Sequence, residues 1–146
     1  MNPMKIIRET DLKLTIRVPV RFSEVDSMRA VWHGNYVQYM EEAREEWGRK
    51  MGMSYVDIFK NGYLAPVYEL NLHYRQIATV DDILLVTITY CQTRGAKLIF
   101  HYEVRRERDD ALILTAESLQ LFTTQTGEFS PTMPPFYAEW IAKYIE

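Results

Sequence analysis

One helical repeat stands in the middle of a chain otherwise patterned for strands, and it decides what the chain can fold into. Tyr36, Met40, Ala43, Trp47 and Met51 recur at steps of three and four, which places them on one face of a helix over about residues 35–51. Gln38, Glu41, Glu42, Glu45, Glu46, Arg49 and Lys50 fall mostly on the other faces. Asn35 with Gln38 three residues later resembles a capping box, and Gly52 supplies the stop. An apolar stripe of this length has to be buried against something, and the remaining sequence offers a sheet.

Leu12, Leu14, Ile16, Val18, Val20 and Phe22 alternate with mostly polar residues, the mark of a strand with one buried face. Pro19 falls on the opposite face and removes a ladder donor, which predicts an edge or bulged position. Residues 53–66 hold Asn61-Gly62 and Pro66, turn formers between short apolar pieces. A second strand presents Tyr68, Leu70, Leu72 and Tyr74 on one face and Glu69, Asn71, His73 and Arg75 on the other. Asp81-Asp82 marks a turn, and Ile83 to Tyr90 is rich in β-branched residues. Thr93-Arg94-Gly95 reads as a hairpin turn into a fourth strand with Leu98, Phe100, Tyr102 and Val104.

After the charged run Arg105–Asp110, read as a solvated loop, a fifth strand begins with Leu112, Leu114 and Ala116. It then changes phase to Leu119 and Leu121, which predicts a β-bulge near Glu117-Ser118. Phe136 to Ile145 reads as a short terminal helix. One strand, one helix and four closely connected strands give an α+β single domain over residues 1–146. Its architecture is a curved five-stranded antiparallel sheet wrapped around one long central helix. The long edges of such a sheet call for a second copy, so a homo-oligomer is expected.

The composition narrows the function by exclusion. A net charge of −3 gives no electrostatic reason to expect nucleic acid. No apolar run approaches the ~20 residues of a membrane span, and no signal-peptide core is visible at the N-terminus. The single Cys91 cannot form an intrachain disulfide, and a reducing, cytoplasmic setting is expected. Three scattered histidines and one cysteine make no metal spacing, and there is no glycine-rich phosphate loop, so neither a metal nor a cofactor is expected.

The chemistry concentrates between Arg21 and Tyr36, where a loop carboxylate, Asp26, comes just before the helix start. A helix N-terminus presents unpaired N–H groups and a partial positive charge, which can hold an oxyanion. A carboxylate a few residues upstream can act as a nucleophile or as a general base on water. Asp26 alone reads equally as a polar turn residue.

Several fixed spacings sharpen this. Val20-Arg-Phe-Ser-Glu-Val-Asp26, Val31-Trp-His-Gly-Asn-Tyr36 and Glu41-Glu-Ala-Arg44, with Tyr74-Arg75 and Asp81 further on, resemble the hotdog-fold acyl-CoA thioesterases of the 4-hydroxybenzoyl-CoA thioesterase-like group. The resemblance runs from the first strand to about Pro134. It implies hydrolysis of an acyl-CoA or related pantetheine thioester, with Asp26 as the catalytic carboxylate and the backbone N–H of His33 as the oxyanion donor. The His33 side chain is a second acid/base candidate. The resemblance further implies a pocket formed at a dimer interface, with Val31, Trp32, Gly34 and Tyr36 near the substrate. A homodimer is then the minimal unit and a homotetramer the larger assembly. Coenzyme A would enter only as part of the substrate.

One position departs from that pattern. Arg29 stands where the family usually has glycine, so the loop must either change shape or hold an arginine in an unusual conformation. Pairing between Arg29 and Asp26 would keep the carboxylate ionised but could also occupy it. That departure raises an alternative, a hotdog module that binds an acyl thioester without turnover. A third reading, a hotdog dehydratase or hydratase, lacks the second polar group it would need. Arg75, Arg94, Lys97, Arg105, Arg106 and Arg108 are the basic groups available for CoA phosphates. Trp47 reads as core or pocket lining, Cys91 as a small buried residue, and Glu42 and Arg44 as surface or interface ion-pair partners.

Overall fold

The computed structural model describes residues 2–145. The chain runs β1 (Arg8–Pro19), a 3-10 turn (Phe22–Glu24), α1 (Asn35–Met51), α2 (Tyr55–Lys60), β2 (Tyr63–Leu64) and β3 (Val67–Tyr74). It continues through β4 (Ile83–Gln92), β5 (Lys97–Arg106), β6 (Ala111–Leu121), β7 (Thr123–Thr124) and α3 (Pro135–Tyr144). Five strands form one antiparallel sheet in the order β1-β4-β5-β6-β3, with β2 and β7 paired separately. The expected order and antiparallel pairing are present, and β1 and β3 are the two edges. Pro19 lies in the edge strand β1 opposite Ile83, where its missing donor costs the sheet nothing on the outer side.

α1 packs its stripe on the inward face of the sheet. Trp47 is fully buried, stacked on Tyr90 and set edge-on to Phe100 with centroids 4.8 Å apart. Its indole N–H donates to the Leu12 carbonyl (3.0 Å), satisfying the one polar atom that this burial would strand. α3 covers the adjoining end of the core. Trp140 donates to the Met51 carbonyl, and the Tyr137 hydroxyl bonds both the Tyr90 hydroxyl (2.6 Å) and the Lys97 carbonyl (2.8 Å).

Four local expectations are corrected. Strand β1 ends at Pro19, and the 3-10 turn swings Phe22 out to 79% exposure, so it does not continue the buried face. Asn35 is the first helical residue and not the cap. Gly34 is the N-cap, with no side-chain cap bond, and the Asn35 amide reaches back to donate to the Glu24 carbonyl (2.7 Å). Residues 53–66 contain α2, whose start is a true capping box between Ser54 and Asp57. The Ser-x-x-Asp signal was present in the sequence. The bulge is also elsewhere. Glu117 and Ser118 stay in register opposite His101 and Phe100, while the slip occurs at Val104–Arg105 and leaves Ile113 as the extra residue. The Ile113 carbonyl instead accepts the N–H groups of Arg75 and Gln76.

The change of phase in β6 has a different cause. Its inward positions after Ala116 are polar, Ser118 and Gln120, and Leu119 and Leu121 pack on the opposite face with Cys91, Ile99, Met4 and Ile6. Cys91 is buried there, as expected, and burial pushes its thiol up to about 12. The inward Gln120 meets Arg44, which is only 1% exposed and is no surface ion-pair partner. Positions 36, 40, 44 and 48 form one row on α1, so Arg44 belongs to the buried stripe. Its Nε donates to Gln120 Oε1 (2.8 Å), and its guanidinium lies 4.7, 5.0 and 5.5 Å from the rings of Tyr55, Phe100 and Trp47. Both terminal nitrogens lack a partner among the described residues.

Asp82 pins the site end of the sheet. It accepts the Thr79 N–H (2.9 Å) and Arg108 Nε (2.8 Å), and its carbonyl accepts the Val20 N–H. Burial would raise this carboxyl, but Arg108 and the Thr79 N–H outweigh it and hold the pKa below the usual range. The stabilisation is therefore complete above the unfolded value near ~4 and is lost as pH falls through the lower folded value. Asp82→Ala is expected to cost about 2 kcal/mol at neutral pH. Acid unfolding followed by circular dichroism should show the gap to wild type closing below about pH 4.

Candidate active site

The loop between β1 and α1 is tied into a fixed shape by its own backbone. The Asp26 N–H donates to the Ala30 carbonyl (2.8 Å) and the Arg29 N–H to the Asp26 carbonyl (2.9 Å), closing a tight turn. Val25 bridges Val31 and Ala30 bridges Thr79, so the turn is stitched to the segment entering β4. Glu24 fastens the other side. Its carboxylate accepts the Arg21 N–H and the Tyr39 hydroxyl, and its carbonyl accepts the Trp32 N–H and the Asn35 amide. Carboxylate loop and helix start are thus held to one another by a residue that the sequence reading passed over.

Arg29 keeps the turn by taking a left-handed conformation, φ 67°. No ion pair joins Arg29 to Asp26 among the described residues. An L-residue pays about 1–2 kcal/mol in that region and glycine does not, although glycine loses more entropy on folding. Arg29→Gly is therefore expected to stabilise the fold by up to about 1 kcal/mol, seen as a melting-temperature rise of a few degrees.

Asp26 is partly exposed. Its Oδ1 accepts the Met28 N–H (2.8 Å), while Oδ2 has no hydrogen bond among the described residues. It lines a cavity of about 360 Å³ together with Val31, His33, Tyr36, Tyr74 and Arg75. The His33 N–H has no acceptor among the described residues, at the positive end of α1. The Trp32 carbonyl, in the same peptide unit as that N–H, accepts the Asn35 N–H (2.9 Å), and the next carbonyl along, that of His33, accepts the Tyr74 hydroxyl (2.9 Å). Tyr36 forms a buried wall, edge-on to Tyr74 at 5.8 Å, and burial pushes its hydroxyl up to about 12.

Of the residues singled out from sequence, Asp26, His33, Val31 and Tyr36 share this cavity. Trp32 and Gly34 do not line it. The Trp32 ring, 51% exposed, lies directly over Gly34, where an added Cβ would collide with it, and 5.0 Å from the His33 ring. A side chain at 34 would have to displace the Trp32 ring, while the backbone there, φ −72°, does not itself call for glycine.

The basic residues separate by position. Arg105, Arg106 and Arg108 are engaged with Glu103, Asp109 and Asp82. Arg94 and Lys97 sit at the far hairpin of β4 and β5, about 30 Å away along ten-residue strands. Arg75 lines the cavity and has no carboxylate partner among the described residues. His73 and His101 lie on the outer face of the sheet beside Glu117 and Glu9. No helix among the described residues is long and apolar enough to cross a membrane.

Comparison with known proteins agrees with this architecture. The Bacillus subtilis protein YneP is 30% identical over 87 residues, 60% of this chain and 63% of that one, so the match spans just under two thirds of that relative. Acyl-CoA thioesterase YbgC of Haemophilus influenzae is 25% identical over 119 residues, 81% of this chain and 85% of that one. The solved 4-hydroxybenzoyl CoA thioesterase of Pseudomonas sp. strain CBS-3 superposes with a TM-score of 0.76 at 21% identity, covering 88% of this chain and 98% of that one. That structural likeness identifies the fold. The profile of the Thioesterase-like superfamily matches residues 20–141, and the chain belongs to that superfamily, with the hotdog fold the sequence led one to expect.

Proposed function

We propose that the protein hydrolyses an acyl-CoA, or a related pantetheine thioester, to a free acid and a thiol. The observation that carries this reading is one cavity lined by both the Asp26 carboxylate and the helix-start residue His33, whose N–H is unpaired. The family and the YbgC relative supply the thioester. The His33 N–H, its peptide unit oriented through the Asn35 N–H bond to the Trp32 carbonyl, stabilises the oxyanion as the thioester carbonyl is attacked. Asp26 either takes a proton from the attacking water or attacks directly to give a mixed anhydride that water then opens. Both routes break the C–S bond and release a thiolate, a good leaving group that needs little protonation. Arg75, which lines the cavity without a carboxylate partner among the described residues, is our candidate to meet the phosphates of CoA.

The minimal unit we propose is a dimer built on the free edge of β3. Val67, Tyr68 and Tyr74 are exposed along that edge, and a second copy would pair its open ladder and cover them. Light scattering should give twice the chain mass; a monomer would remove this part of the reading. The non-catalytic alternative rested on Arg29 capturing Asp26, a pairing the structure does not contain. Thiol release from a panel of acyl-CoAs tests the activity, and its absence on every member, with saturable binding retained, would favour the binding module instead.

A further inference from the structure

A second cavity, of about 230 Å³, lies further along the same seam between α1 and β3, and the reaction as proposed above does not use it. Its walls are Val37, Met40 and Glu41 from the helix and, from the sheet, Tyr102 with the cross-strand pairs Val67–Gln120 and Leu70–Ser118. The register slip between Val67 and Glu69 turns Val67 inward and leaves Tyr68 outside against Phe129. Along both elements the order is the same. The first cavity ends at Tyr36 on α1 and Tyr74 on β3, and the second begins at Val37 on α1 and, on β3, at Leu70. The edge-on pair Tyr36–Tyr74 marks the boundary between them.

The far end is closed by Gln120, which holds Arg44, a buried group whose terminal nitrogens lack a partner among the described residues. Arg44 occupies the next turn of α1 after Met40 and Glu41, held by Gln120 and boxed by Tyr55, Phe100 and Trp47. Gln120 is itself fixed by donating to the Ala65 carbonyl and to the Tyr55 hydroxyl (3.3 Å). Mostly slender side chains line the seam before this point, with Tyr102 as its floor, and an immobilised pair ends it.

We infer that this second cavity receives the acyl chain and that the Arg44–Gln120 pair is its end wall, making the preferred substrate a medium-length, uncharged, unbranched acyl thioester. The inference rests on the thioester reading above, but its measurable consequence is chain length, not hydrolysis. From Asn35 to Arg44, nine residues, α1 rises about 13.5 Å at ~1.5 Å per residue. An extended chain advances roughly 1.2 Å per bond, which allows about eleven bonds. Volume gives a similar figure. At ~30 Å³ per water-sized group, the cavity holds about eight groups. The two limits bracket a chain of about eight to twelve carbons.

The experiment measures kcat/KM for saturated acyl-CoAs of two to sixteen carbons, and, with Asp26→Asn, their dissociation constants by calorimetry. Both are expected to improve up to about eight carbons and to fall by tenfold or more beyond about twelve. Val67→Phe, read alongside light scattering that shows the same assembly as wild type, should move the optimum at least two carbons shorter. Arg44→Ala with Gln120→Ala should move it longer. Length-dependent binding that Val67→Phe shifts, without any turnover, sinks the hydrolysis reading and leaves the chamber standing. Turnover with a flat length profile, or one that Val67→Phe leaves in place, overturns the chamber alone. Failure to bind any acyl-CoA overturns both.

Discussion

Asp26→Asn should lower kcat for thioester hydrolysis by ~100-fold or more while leaving KM and the melting temperature close to wild type. The amide preserves the contact that shapes the loop, since Oδ1 accepts the Met28 N–H and an amide oxygen does the same. What it removes is charge and basicity, which either route requires. Asp26→Ala is a different experiment, because it also removes a loop contact and leaves the Met28 N–H without that acceptor. Comparing the two separates chemistry from loop geometry. If asparagine retained more than a tenth of wild-type turnover, the carboxylate would not be the catalyst. Single-turnover reaction in ¹⁸O-water then tests for the anhydride, since label in Asp26 requires that its oxygen attacked the thioester and that water opened the anhydride at the Asp26 carbonyl.

The architecture was legible because its signals are periodic. The helix stripe from Tyr36 to Met51 and the alternation of β1, β4 and β5 each repeat over eight residues or more, and burial acts on the whole repeat. The misreadings fall where one contact overrides the pattern. Asn35 has the right chemistry for a cap, but the Glu24 carbonyl captures its amide. Ser118 and Gln120 break the apolar pattern of β6, and the break looks like a bulge until Arg44 is seen beside Gln120. Arg44 itself reads as a surface charge in any window of neighbours, since nothing local states that three aromatic rings converge on it. Asp26 and His33 were found through spacing, whereas Glu24 and Tyr74, which hold the two in place, act through contacts fifteen and forty-one residues away in sequence. A spacing argument does not reach such partners.

Gln120→Leu is expected to be the most damaging single substitution of the core for its size, at about 3–5 kcal/mol. The volume change is small, so cavity formation cannot account for a loss of that order. Arg44 is 1% exposed, and Gln120 Oε1 is the hydrogen-bond acceptor that the guanidinium has among the described residues. The rings at 4.7–5.5 Å offset part of the burial of the charge through their π faces. Burial holds the Arg44 pKa down, which shows the direction of the strain, yet an arginine does not discharge at neutral pH. Losing the acceptor therefore leaves a charged group with all its donors unmet. Arg44→Met removes the charge and keeps the packing, so it should cost under about 2 kcal/mol or even stabilise. The double variant Arg44→Met with Gln120→Leu should then be more stable than Gln120→Leu alone, a coupling of about 2 kcal/mol or more read from urea denaturation. Simple additivity of the two single changes would mean that water, and not Gln120, carries the Arg44 charge.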